Sequence, residues 1–171
     1  KRDTMKNNSE YSKSKKLNLL VIALILLAVN LGCNFSCGNS AEINTEQVAE
    51  EANKLVREGN AIVEKANQAV TKADALSNEL FSSENLQKVE DVEKYKDSNK
   101  AKFDELIKLR EDVAKSLEEA ATKFEQVSKM SVNDKFKEYN RLLAQQFKKS
   151  AEINRADAAF NKAYLEKKDP E

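Results

Sequence analysis

Two seven-residue series run through the first long segment of this chain. Val48, Leu55, Ile62, Ala69 and Leu76 form one, and Ala52, Gly59, Ala66, Ala73 and Leu80, four positions on, form the other. On an α-helix this spacing keeps both series on one stripe, whereas on a strand it scatters them over both faces, so the segment is a helix packed lengthwise against others. Val56, Val63 and Val70 widen the stripe enough to face two neighbours, which favours a bundle within one chain over a simple paired coil. The small residues Ala52, Gly59, Ala66 and Ala73 allow a partner helix to approach closely. Gly59 costs about 1 kcal/mol relative to alanine inside a helix, so it marks either a close contact or a weak spot.

Composition agrees with this pattern. With 3 glycines, 1 proline and no tryptophan in 171 residues, the chain lacks the turn residues of a β fold. The fold class expected is all-α, an elongated up-down-up bundle of three principal long helices, or four if the second is broken. The first helix should start near Asn44 or Thr45 and stop near Leu80 to Phe81. Ser82-Ser83-Glu84 then offers a new cap with an acidic first turn. Val89 and Val92 are in heptad phase with Phe103, Leu106, Val113, Leu117, Ala120, Phe124 and Val127. Lys96 and Asn99 interrupt that seam, so a loop or kink is expected at Asp97-Ser98-Asn99. Ser131 with Asp134 reads as the capping signal of the last helix, which carries Phe136, Tyr139, Leu143 and Phe147 toward Tyr164, with Pro170 as its stop. Ile153 and Phe160 fall out of phase with Phe147, and Gln146, Ser150 and Asp157 occupy positions that a buried stripe would fill with apolar groups.

The amino-terminal region follows different rules. Lys13, Lys15 and Lys16 precede an apolar run from Leu17 to Leu31 that leads into Gly32-Cys33. The run is roughly 15 residues, short of the ~20 that span a bilayer and within the range of an export signal. Residues 1–32 therefore read as a lipoprotein signal with Met5 as its start and Lys1 to Thr4 upstream of it. Cleavage is expected between Gly32 and Cys33, with the lipid carried by Cys33; Cys37, preceded by Ser36, is the alternative. Asn30, at the third position before Cys33, stands where most such signals carry an aliphatic residue. Residues 33–43, with Ser36, Gly38, Asn39 and Ser40, form a polar tether, and residues 44–168 form the bundle.

Several chemistries find no support in these residues. There is no histidine, and Cys33 and Cys37 have no second cysteine pair, so a metal site lacks ligands and no cofactor is expected beyond the covalent lipid. Lysine plus arginine and aspartate plus glutamate are both 29 and are mixed along the chain, which argues against a nucleic-acid partner. Adjacent carboxylates such as Glu50-Glu51, Glu111-Asp112 and Glu118-Glu119 point about 100° apart on a helix and cannot share a substrate, so an enzyme is not expected. Lys148-Lys149 and Lys167-Lys168 read as solvated charge. Phe136 and Phe147 read as core, whereas Phe160 and Tyr164, out of phase on a polar stretch, are candidate partner contacts.

The Cys-Asn start of the tether, its Asn and Ser content, the relaxed signal and the Lys, Glu and Asn-rich helical body together resemble the outer-surface lipoproteins of Borrelia-type spirochaetes. The resemblance is one of architecture over the whole chain, and Cys33 is the one residue whose role carries over from it. It implies a lipid-anchored protein on the outer membrane, facing the cell exterior, whose bundle binds a host or vector protein or glycan in adhesion or immune evasion. The competing class is a periplasm-facing or self-associating structural lipoprotein, in which a second copy of the chain is the partner. An exposed first-helix seam would favour that second class, and a seam buried within one chain would favour the first.

Overall fold

The computed structural model describes residues 45–87 and 89–167. Gly32, Cys33, Cys37, the signal, the tether and Pro170 lie outside the described residues. Three long helices and one short one follow in order: α1 (Thr45–Phe81), α2 (Ser83–Gln87), α3 (Val92–Ser128) and α4 (Asp134–Glu166). The fold is an all-α bundle. At 1.5 Å per residue, the 37-residue α1 is about 55 Å long.

Each break has a local cause. Ser82 Oγ accepts the Asn85 amide N–H at 3.2 Å, capping α2 as the serine pair predicts. Asp91 in extended conformation caps α3 by accepting the Lys94 amide at 3.0 Å. The Lys129 amide closes the other end of α3 on the carbonyls of Gln126 and Val127. Asn133 caps α4, its side chain accepting the Lys135 amide at 2.9 Å, so the cap lies two residues beyond the expected Ser131.

The expected loop or kink at Asp97-Ser98-Asn99 is corrected: α3 runs through it unbroken. The chain breaks earlier, where Asp91 supplies the cap. The polar seam residues are tolerated because they find partners inside the bundle. Asn99 Nδ2 donates to the Tyr95 carbonyl at 3.0 Å, and buried Lys96 donates to Glu93 and to the Lys167 carbonyl.

α3 is the central element and packs against both α1 and α4, antiparallel to each. Its buried residues include Phe103, Leu106, Val113, Ala114, Leu117, Ala120, Ala121, Phe124 and Val127. The outer helices α1 and α4 nowhere bring Cα atoms within 8 Å of each other. They meet through long side chains: Phe81 reaches Phe160 and Tyr164, and Arg110 of α3 lies between Asp74 and Asp157.

On α1 the small series is the centre of the seam. Ala52, Gly59, Ala66, Ala73 and Leu80 are all buried, with Val63 beside them. The other series, Val48, Leu55, Ile62, Ala69 and Leu76, is half-buried along one flank. Small side chains at the line of closest approach let α3 supply the bulk, as where the Phe124 ring fills the space above Gly59.

The carboxyl-terminal helix departs furthest from expectation. Its buried positions are Asn140, Ala144, Phe147, Ala151, Asn154, Ala158 and Asn161, a heptad stripe of alanine and asparagine with one phenylalanine. Each asparagine donates its amide to the carbonyl four residues earlier: Asn140 to Phe136 at 2.8 Å, Asn154 to Ser150 at 2.8 Å and Asn161 to Asp157 at 2.7 Å. This removes the donors from the apolar environment without calling on another helix. The Oδ1 atoms of Asn140 and Asn161 remain buried without a hydrogen bond.

Antiparallel register is written in the flanking charges. Glu58 meets Lys123 at 2.7 Å and Glu79 meets Lys102 at 2.6 Å between α1 and α3. Between α3 and α4, Glu125 meets Lys148 at 2.6 Å, and Glu118 takes a two-pronged contact from Arg155. Hydrogen bonds from these cations hold the carboxyls of Glu58, Glu118 and Glu125 below the ordinary range, Glu125 at about 2 because both Lys148 and Lys129 donate to it. The pairs are solvated and add little to stability singly, but sliding α4 by one residue would separate its rungs together.

Candidate functional site

The residues with the densest side-chain chemistry gather where α1 ends, α3 begins and α4 ends. Along α1 this tip lies about 55 Å from Thr45. Phe103, fully buried, forms its centre. Phe81 meets it edge-on at 5.7 Å and Tyr95 at 6.5 Å, while the Tyr164 ring lies at 5.5 Å. Edge-to-face contact places the positive rim of one ring on the negative face of another, which fixes ring orientation beyond what burial alone does. Leu80, Leu106 and Ala73 close the cluster from beneath.

Two polar groups tie the aromatic cluster to the backbone. Tyr95 donates its hydroxyl to the Leu80 carbonyl at 2.7 Å, satisfying a helix-terminal acceptor of α1, and burial pushes its phenol upward from the ordinary value. Lys96 reaches across to the end of α4. Its ammonium donates to Glu93 at 2.9 Å and to the Lys167 carbonyl, and stands 5.2 Å from the Tyr164 ring centre. A cation at a helix C-terminus and over an aromatic face is favourably placed twice.

Beside this cluster an open depression of about 570 Å³ is lined by Glu79, Asn85, Val89, Tyr95, Asn99 and Lys102, among others. Asn85 Nδ2 donates to the Glu79 carbonyl at 2.6 Å and thereby sets the angle at which α2 leaves α1. The Glu79–Lys102 pair crosses its edge, and that hydrogen bond raises the lysine above its ordinary pKa. Apart from Val89 and the Tyr95 ring the walls are polar and carry both signs of charge. Such an open lining of mixed charge suits exchange of hydrogen bonds with a larger surface. A second depression, of about 430 Å³, lies between α3 and α4 over Ala158 and Ala159, with Glu111, Arg155 and Lys162 around it.

The candidate contact residues separate. Tyr164 is half-buried in the aromatic cluster and packs on Phe81 and Phe103. Phe160 touches the Phe81 ring at 6.4 Å but remains mostly exposed. Phe147 is buried against Phe124, with ring centres 5.5 Å apart, and Phe136 is half-buried. Lys148 and Lys149 are paired with Glu125 and Glu152, so they present no free basic patch. Among the described residues no group of three or more histidine, cysteine, aspartate or glutamate side chains is placed to hold a metal ion. No described helix is long and apolar enough to cross a membrane.

A second buried charge, besides Lys96, sits on the α3 seam at Arg110. Arg110 in mid-α3 donates from Nη2 to Asp74 at 2.7 Å and from Nη1 to Asn154 at 3.2 Å, with Asp157 3.8 Å from Nε. One guanidinium thus links α1 and α4 through the helix between them. Burial raises the Asp157 carboxyl above its ordinary pKa; Arg110 opposes the shift and Asp74 adds to it. The cue was a charged residue on a seam position, where a buried ion is kept only with partners on neighbouring helices. No protein-family model matches the chain, and no curated protein and no solved structure matches it.

Proposed function

We propose that this is a lipid-anchored bacterial surface protein that acts by binding and not by catalysis, held to the outer membrane through Cys33 and presenting its bundle to a host or vector macromolecule. Burial of the α1 seam within one chain carries the choice between the two function classes. Ala52, Gly59, Ala66, Ala73 and Leu80 are covered by the protein's own α3. A structural lipoprotein that assembled through that seam would need it free. The anchor itself rests on the lysine-rich head, the short apolar run and Gly32-Cys33, together with the resemblance to spirochaetal surface lipoproteins.

The tip is the surface of choice for ligand contact. It is the part of α1 farthest along the helix from the tether, and it offers hydrogen-bonding groups of both signs on a rigid aromatic base. Rigid support lowers the ordering cost of binding. The test is protease accessibility of the full chain on intact and lysed cells, with palmitate labelling of the Cys33→Ser and Cys37→Ser variants. Loss of label in Cys33→Ser and digestion on intact cells support the reading. Protection until lysis overturns surface display in favour of a periplasm-facing protein, and label surviving in Cys33→Ser but not Cys37→Ser moves the anchor to Cys37.

A further inference from the structure

The outer face of α4 is built the wrong way round for an isolated bundle. Asparagines occupy buried heptad positions, while Tyr139, Leu142, Ile153 and Phe160 stand 43%, 50%, 56% and 63% exposed. At 100° per residue these four side chains fall within a strip about 60° wide. Tyr139, Ile153 and Phe160 are separated by multiples of seven residues, and the strip extends for roughly 32 Å along the helix. That geometry is a seam for another helix, not a spot for a small ligand.

We propose that this strip is the interface through which two copies of the chain pair, α4 against α4 and antiparallel. Three properties select a second copy as the occupant. First, the strip is self-complementary under a two-fold axis passing near Ala151. Leu142 of each copy then lies opposite Phe160 of the other, and Lys149 of each opposite Glu152 of the other. Lys149 and Glu152 already pair within one chain at 2.7 Å and are both exposed, so exchange between copies requires only that the side chains rotate. Second, charge at the axis does not oppose association: exposed Lys149 is matched by exposed Glu152. Third, the area is sufficient. A large apolar side chain carries roughly 200 Å², so four that are about half exposed bring about 400 Å² per copy. The intervening Gln146, Lys149, Ala156 and Ala163 extend this toward the ~1,200 Å² total at which specific pairs begin.

None of the four side chains lines the tip depression, and Phe160 alone reaches the aromatic cluster beneath it, at Phe81. The antiparallel arrangement sets the two tips at opposite ends of the pair.

The test uses the full chain extracted in mild detergent, carrying Cys37→Ser to remove the chain's own free thiol, with Lys149→Cys placed near the predicted axis. Oxidation should give a disulfide-linked species of twice the chain mass, and Glu111→Cys on the exposed side of α3 should give at least tenfold less. Adding Ile153→Asp and Phe160→Asp to Lys149→Cys should reduce the linked species at least tenfold while helicity is unchanged. Should the aspartates disturb folding, Ile153→Ser with Phe160→Ser makes the same test with uncharged side chains. No linked species from Lys149→Cys, an equal yield from Glu111→Cys, or a yield that survives both double variants at intact helicity overturns the proposal. Linkage to a heavier foreign protein in place of a second copy also overturns it.

Discussion

Gly59→Ala sets two opposed effects against each other at one atom. Alanine favours a helix interior by about 1 kcal/mol over glycine, so on an open helix the change would stabilise. Here the added Cβ would stand 2.8 Å from Cζ, 3.0 Å from Cε2 and 3.3 Å from Cε1 of Phe124. That ring is fully buried and stacked on Phe147 with centres 5.5 Å apart and planes at 26°, so it has little room to withdraw. Forcing a methyl group into a packed core costs roughly 1–3 kcal/mol. The net expectation for Gly59→Ala is destabilisation by about 1 kcal/mol. Phe124→Leu alone should cost about 2 kcal/mol through the cavity it leaves. In that background the clash is gone, and Gly59→Ala should stabilise by about 1 kcal/mol, so the cycle has a coupling of about 2 kcal/mol. Urea unfolding followed by helical circular dichroism, with unchanged slope, supplies all four corners. A wild-type background in which Gly59→Ala stabilises by the full propensity, with no coupling to position 124, would refute close approach of α1 and α3.

The remaining expectations concern polar groups in the core. Asn140→Leu removes a buried Oδ1 that has no hydrogen bond and should stabilise the bundle by about 1–2 kcal/mol in urea unfolding; a loss of similar size would mean that the oxygen has a partner. Arg110→Met leaves Asp74 and Asp157 without their shared cation and Asn154 Oδ1 without its donor. It should cost about 2 kcal/mol, less than a fully buried pair because both carboxylates are half exposed, and Asp157→Asn should recover part of it. Below neutral pH, Glu125 contributes stability that is complete above its unfolded pKa of 4.5 and is lost as pH falls through its folded value of about 2. Acid unfolding of Glu125→Gln should therefore be less steep in that window, and high salt should narrow the difference from wild type. Asp157 acts in the opposite sense, since its folded pKa is raised above 3.8 and its contribution declines as pH rises through that shift. Acid titration of Asp157→Asn should be steeper than wild type at the upper edge of the same window, and an identical profile would show the carboxyl to be unburied.

How much of this fold was legible in sequence depended on which side chains do the packing. α1 was read with its ends and its stripe intact because its buried line is small and its flanking line is aliphatic, so both obey the same period. The centre of the stripe was less visible: aliphatic residues such as Leu55 and Ile62 look like core, yet the small series takes the buried line and leaves them on the flank. In α3, Lys96 and Asn99 looked like a break because a seam position was assumed to require an apolar group. Lys96 instead caps the end of α4 and covers an aromatic face, a use visible only when another helix arrives from 71 positions away. The cap at Asn133 rather than Ser131 is the familiar uncertainty of helix starts in a run of capping residues.

α4 was misread for a deeper reason, and the error points to function. Phase was taken from its largest apolar residues, and Ile153 and Phe160 were noted as out of register with Phe147. They are out of register with the core, and Asn140, Asn154 and Asn161 hold the positions they would have filled. Placing isoleucine and phenylalanine one residue later would have yielded a more apolar core without changing composition. Self-bonding asparagines satisfy their donors on their own helix and leave α4 attached through Ala144, Ala151, Ala158, Phe147, the half-buried Tyr164 and the charge rungs. In a protein selected for stability alone this distribution is costly, since buried amide oxygens contribute nothing and exposed aromatics invite association. It becomes economical when the outer face is itself an interface, because the same helix must then serve two seams and the strongest apolar groups lie on the one formed between molecules. The separation is measurable in dilute, unpaired protein: Ile153→Ser should leave unfolding within about 0.5 kcal/mol of wild type while Ala151→Ile, on the buried line, should destabilise by about 1–3 kcal/mol. Equal losses at both positions would show that the outer residues are core after all and that α4 has one seam, not two.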